Sequence, residues 1–111
     1  GANGQNIYPE EIESKLNNMP FVMESLVIEK EGKLVALVYP DFEAVDTYGL
    51  TQEDLPVAME EVRRNLNKEV APYESIAHIY IYQSEFEKTP KRSIKRYLYT
   101  NFTPLPDKKE K

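Results

Sequence analysis

Apolar positions along the chain change period several times, and each change marks an element. After Pro9, Ile12, Leu16 and Met19 recur at helical spacing and give one apolar stripe. Pro9 suits the first helical position, where its missing N–H is an orphan in any case. Glu10, Glu11 and Glu13 favour the positive end of the helix dipole. Asn17–Asn18 and Pro20 end this helix. Two runs rich in Val, Ile and Leu, Val22–Lys30 and Lys33–Tyr39, then flank Glu31–Gly32 and predict a hairpin. The second run, LVALVY, does not alternate, which predicts a strand covered on both faces.

Pro40–Leu50 reads as a loop, with Asp41 at its entrance. Thr51 and Asp54 form a weaker kind of capping box, and Pro56 sits in the first turn of the next helix. Leu55, Met59, Val62, Leu66 and Val70 form its apolar stripe, and Pro72 ends it. In Ile76–Tyr82, Ile79 and Ile81 alternate with His78, Tyr80 and Tyr82, which predicts a third strand. A third short helix is expected from Ser93 to Tyr99, with Ser93 as its N-cap. Residues 103–111 are polar, contain two prolines and are expected to fray. The order is α-β-β-α-β-α: an α+β fold in which about three helices pack on a small three-stranded mixed or antiparallel sheet that includes a hairpin.

At 111 residues the chain allows one small domain, and its 41% hydrophobic and 30% charged residues are enough for a modest core. Zero Cys excludes a disulfide scaffold, a thiolate nucleophile and a cysteine zinc site, and one His cannot build a multi-histidine metal centre. The longest uncharged apolar run, Leu34–Tyr39, is far too short to span a membrane, and Gly1–Gln5 lacks the marks of a signal peptide. A cytoplasmic location is the resulting expectation. The net charge of −5 is unevenly spread. Residues 1–87 carry six cations against seventeen acids, whereas KTPKRSIKR, residues 88–96, carries five cations and no acid. Such an acidic body does not grip nucleic acid over its whole surface. The compact basic segment is suited to a phosphate or a carboxylate. Taken alone, it is equally what a free-standing phosphate- or protein-binding module would display.

Two segments carry a family resemblance. GANGQNIYPEEIESKL resembles the glycine loop and "N-I-x-P-x-E-I-E" signature that opens the C-terminal domain of adenylate-forming enzymes. FEKTPKRSIKRYLY resembles the "K-T-x-x-G-K-I-x-R" segment near the end of that domain. Between them, VMESLVIEKEGKLVALVYPD and RRNLNKEVAPYESI fit the same pattern, so the likeness covers roughly residues 1–100. Within the superfamily, the pairing of NIYPEEIE with PYESI is most similar to the long-chain fatty acyl-CoA ligases.

This resemblance implies that residues 1–102 form the C-terminal lid of an ATP-dependent, AMP-forming fatty acyl-CoA ligase, inactive alone. Its partner would be the N-terminal adenylation domain of the same polypeptide, and the parent enzyme could bring it to a membrane. ATP and coenzyme A would be substrates alongside the fatty acid, with Mg2+ implied but held elsewhere. Gly1, Ala2, Asn3 and Gly4 would form the loop against the coenzyme A pantetheine arm, where small residues permit close backbone approach. Arg92 and Arg96 are candidate cofactor-binding cations. The likeness fails at one informative place: Ser93 occupies the position of the family's catalytic Lys, and Arg92 that of the Gly before it. Three readings stay open: Lys91 or Lys95 substitutes, the parent adenylates slowly, or adenylation is lost. Substitution by a neighbouring Lys is favoured, because both lie within two residues.

Overall fold

The computed structural model describes residues 6–101. The hairpin is its organising feature. Strand β1, Val22–Lys30, pairs antiparallel with β2, Lys33–Pro40, with Lys30 opposite Lys33. The two residues between them, Glu31 and Gly32, have φ of 52° and 80°, the positive values that suit a tight two-residue connection to the right-handed twist of the strands. Strand β3, Ile76–Ile81, joins β2 in parallel, so the order is β1-β2-β3 with β2 central and the sheet is mixed. A parallel neighbour needs a crossover, and helix α3, Leu55–Asn67, supplies it.

One face of the sheet receives the helices. Helix α1, Pro9–Leu16, contributes Ile12 and Leu16, and α3 contributes Met59, Val62 and Leu66, all packed on Val27, Ala36, Val38, Ile76 and Ile79. The opposite face carries Leu26, Ile28, Val35 and Leu37 under Phe86, with Tyr80, Tyr82, Ile94 and Tyr99 at its margin. Strand β2 is therefore covered on both sides, as its unbroken apolar run predicts. Two register irregularities make this division possible. Val22 pairs with Pro40 but Glu24 pairs with Tyr39, so Met23 is an extra residue. That bulge lets Val22 face the helices while Glu24, of the same parity, is delivered to the side of Leu26 and Ile28. A second slip, between Leu34↔Ile76 and Val35↔His78, puts Ile76, Ile79 and Ile81 together against the helices.

The structure departs from the sequence reading at three places. Pro40–Leu50 is not all loop: Phe42–Thr47 forms a short helix, α2, capped by Asp41, whose Oδ1 accepts from the Ala44 N–H at 3.2 Å, and anchored by buried Val45. Helix α3 ends at Asn67, so Val70 packs from the loop beyond it and Pro72 opens a separate 3-10 turn, Pro72–Glu74. The helix expected over Ser93–Tyr99 is absent. Ser93 is tied into a tight turn and Ile94 is turned toward the sheet, leaving only a 3-10 turn at Arg96–Leu98. The expected count of about three helices holds, because α2, in the segment read as a loop, offsets the one absent over 93–99. Thr51 and Asp54 behave as read, the Asp54 carboxylate accepting from the Thr51 N–H at 2.8 Å. That bond holds its pKa below the usual value of 3.8.

Candidate functional site

The basic segment belongs to a strap, residues 82–101, that crosses the second face of the sheet. Phe86, 2% exposed, is its anchor. Its ring lies 5.1 Å from those of Tyr82 and Tyr99, and the Tyr99 hydroxyl accepts from the Glu87 N–H at 2.9 Å. Lys88 fastens the same region to β1: its Nζ lies 2.6 Å from Glu24 and 3.2 Å from Glu85, and donates to the Phe86 carbonyl at 3.1 Å. The hydrogen bond to Glu24 raises the Lys88 pKa above its usual value, against the opposing effect of burial. The bulge at Met23 is what brings Glu24 to this place.

Beyond Lys88 the strap doubles back on itself. Lys88 and Ile94 form an isolated antiparallel bridge, and Lys95 N–H donates to the Glu87 carbonyl at 2.8 Å. Within the loop, Thr89 N–H donates to the Ser93 carbonyl and Arg92 N–H to the Thr89 carbonyl, both at 2.8 Å. Thr89 Oγ1 accepts from the Ser93 N–H at 3.2 Å. Thr89 thus closes the turn from both backbone and side chain, with Pro90 presetting the backbone at its next position. Arg92 sits at φ +71°, a conformation that suits glycine and strains a residue with a Cβ by about 1–2 kcal/mol.

The second anchor is Arg96. Its guanidinium grips both carboxylate oxygens of Glu13 on α1, one bond measuring 2.9 Å from Nη1 to Oε2. Glu10 stands 4.0 Å away. Glu13 is buried and also accepts from the Val27 N–H at 2.7 Å, so one carboxylate joins α1, β1 and the strap. These bonds to Glu13 raise the Arg96 pKa still further, burial opposing them.

The sequence treats residues 88–96 as one cationic cluster, and the structure divides it. Lys88 and Arg96 are engaged in ion pairs that hold the strap down. Lys91, Arg92 and Ser93 are exposed on the turn, and Lys95 is half-buried just after it. A groove of about 580 Å³ between α1, the start of β1 and the strap is lined by Glu10, Glu13, Glu24, Lys88, Arg92, Ser93 and Arg96 among others. Lys91 and Lys95 do not line it. Gly1, Ala2, Asn3 and Gly4 lie outside the described residues, as does the tail 103–111. His78 is a surface residue of β3 whose ring stands 4.4 Å from that of Tyr80. Among the described residues no three His, Cys, Asp or Glu side chains gather closely enough to hold a metal ion. No helix among them is long and apolar enough to cross a membrane.

Sequence reasoning missed the Glu13 and Glu24 anchors. Glu13 left a signal, since it lies beside Ile12 and three residues before Leu16, on the side of the helix that must be buried. Glu24 left none, because the bulge that turns it inward is a tertiary feature.

A mixed sheet with helices on one face and a basic, doubled-back strap on the other defines a small α+β domain. The family profile described as AMP-binding enzyme C-terminal domain matches residues 1–103, and the chain belongs to that family. Among solved structures, it is similar to the adenylation domain of a carboxylate reductase from Mycobacterium chelonae. There the TM-score is 0.73 at 20% identity, over 87% of this chain and 16% of that one. An acyl-CoA synthetase from Brucella canis gives 0.66 at 25% identity, over 86% of this chain and 17% of that one. A fatty acyl CoA synthetase from Mycobacterium tuberculosis gives 0.63 at 20% identity, over 91% and 19%. The chain thus spans less than a fifth of each of these proteins. No curated protein matches it.

Proposed function

We propose that this chain is the mobile C-terminal lid of an ATP-dependent, AMP-forming ligase that joins fatty acids to coenzyme A. The observation that carries the reading is family membership over residues 1–103. The fatty acid assignment draws on the NIYPEEIE and PYESI segments and on a fatty acyl CoA synthetase among the structural neighbours. In the first half-reaction a carboxylate oxygen attacks the α-phosphorus of ATP. The bond from that phosphorus to the oxygen bridging to the β-phosphorus breaks, and pyrophosphate leaves. In the second, the coenzyme A thiol attacks the acyl carbon, AMP departs with the anhydride oxygen, and the thiol proton passes to solvent. A lid serves both by bringing different surfaces to the site and by keeping water from the anhydride. The turn at residues 89–93 would serve the first step and the loop at Gly1–Gly4 the second.

The test is to supply the complete polypeptide that carries this chain with ATP, coenzyme A and fatty acids of graded length. Release of AMP and pyrophosphate with formation of acyl-CoA is the expected result. Failure to release AMP with any fatty acid, while an aromatic or dicarboxylic acid does support it, would reassign the substrate. Release with no acid at all would remove the ligase reading.

A further inference from the structure

Resting on that ligase reading, we infer that Arg92 is the cation with which this lid meets the phosphates of ATP during adenylation, assisted by the neighbouring Ser93 hydroxyl. Three observations converge on it. The first is charge accounting in the groove between α1 and the strap. Of its three cations, Lys88 is held by Glu24 and Glu85, and Arg96 by Glu13, with Glu10 drawn to within 4.0 Å of Arg96. Arg92 is the remaining one, and among the described residues its side chain forms neither an ion pair nor a hydrogen bond. The second is direction: Arg92 and Ser93 line this groove, and Lys91 and Lys95 do not. The third is backbone conformation. Arginine stands at φ +71°, where glycine or asparagine would sit without strain, and the Thr89 hydrogen bonds hold it there. The turn thus presents the Arg92 side chain at an exposed corner in spite of that strain.

The chemistry suits the residue. As the carboxylate oxygen bonds to the α-phosphorus and the bond to the pyrophosphate oxygen breaks, charge shifts onto phosphate oxygens and no proton is transferred. A permanently charged planar fork can bind two such oxygens at once, and the Ser93 hydroxyl adds a donor beside it. A point charge on Lys91 at the tip of the turn, or on Lys95 beyond it, offers no such pairing from within the groove.

The experiment uses the complete polypeptide and reads two rates. One is acid-dependent ATP–pyrophosphate exchange, and the other is thioester formation from supplied acyl-adenylate. Arg92→Gly fits the backbone of the turn better than arginine does, and Arg92→Asn also tolerates it, so both remove the guanidinium without unfolding the strap. Each is expected to lower exchange by about a hundredfold while leaving thioester formation within about twofold. Arg92→Lys should return exchange to within about tenfold of the unaltered enzyme. Exchange unchanged in Arg92→Gly, or a larger fall in Lys91→Ala or Lys95→Ala than in Arg92→Gly, would overturn the assignment and leave the ligase reading intact. If the unaltered polypeptide shows no acid-dependent exchange, the ligase reading itself falls, and the role given to Arg92 falls with it.

Discussion

Glu13 shows how much one side chain can decide in so small a protein. Its carboxylate accepts from a β1 backbone N–H and grips Arg96, so three parts of the chain meet at two oxygens. Removing it leaves the Val27 N–H without that acceptor and Arg96 without its principal partner. Breaking a fully buried pair costs about 3–5 kcal/mol. Arg96 retains 37% of its side-chain exposure, so water recovers part of that. Glu13→Ala is therefore expected to destabilise by about 2–3 kcal/mol, with Glu13→Gln intermediate because its amide oxygen can still accept from Val27. Urea titration of both variants measures this, and a loss under about 0.5 kcal/mol in Glu13→Ala would show the clamp to be ornamental. In the sequence Glu13 reads as one more acid favouring the helix dipole. Its position beside the apolar stripe is visible there, but its partner lies 83 residues away.

The strap is the element on which the candidate site depends, and its attachment has a pH limit. Lys88 holds it through Glu24, which raises the Lys88 pKa above 10.5. Tyr82 sits at its base, and burial pushes the Tyr82 pKa above 10.0, the nearby Tyr99 adding to the rise. In both, the folded state keeps the proton more tightly than the unfolded chain. Their contributions are therefore whole below about pH 10 and are lost as pH climbs through the raised values. Alkaline titration is expected to weaken the strap first, read as exchange of the Glu87 and Lys95 amides or as a change in the environment of Tyr99. Lys88→Met should abolish part of that pH dependence. A flat response between about pH 9 and pH 11.5, on the order of one unit either side of the ordinary tyrosine and lysine values of 10.0 and 10.5, would refute the mechanism. Both strands of the hairpin, the two longer helices and β3 were legible from periodicity, because each has one face committed to a core. The last helix was misread for a physical reason. Helical propensity in SIKRYLY is local, whereas the Thr89 turn and the burial of Ile94 on the sheet are satisfied only by an extended return.

At the scale of the whole molecule, the grooves of the described surface, the one between α1 and the strap among them, lie open to solvent. Adenylation needs ATP, acid and pyrophosphate to be held together away from water. Under the lid reading, the missing walls belong to the adenylation domain. The isolated 111-residue chain is accordingly expected to fold yet show no ATP–pyrophosphate exchange, whereas the complete polypeptide exchanges in the presence of a fatty acid. Exchange by the isolated chain above that of a heat-inactivated control would mean that it holds a site of its own.

The amino-acid pattern alone determined the α+β architecture, the hairpin turn at Glu31–Gly32, the two-sided burial of β2 and the family likeness at both ends of the chain. These follow from local periodicity, from turn chemistry and from short motifs, which need no knowledge of what lies across the fold. Tertiary structure decided the rest. Two cations of an apparently uniform basic cluster are consumed by Glu13 and Glu24, and only Arg92 of the others lines the groove beside Ser93. Ion pairing acts through space between residues far apart in the chain, and bulges set which of them can meet, so charge counted along a sequence gives the number of cations but not which remain available to a ligand.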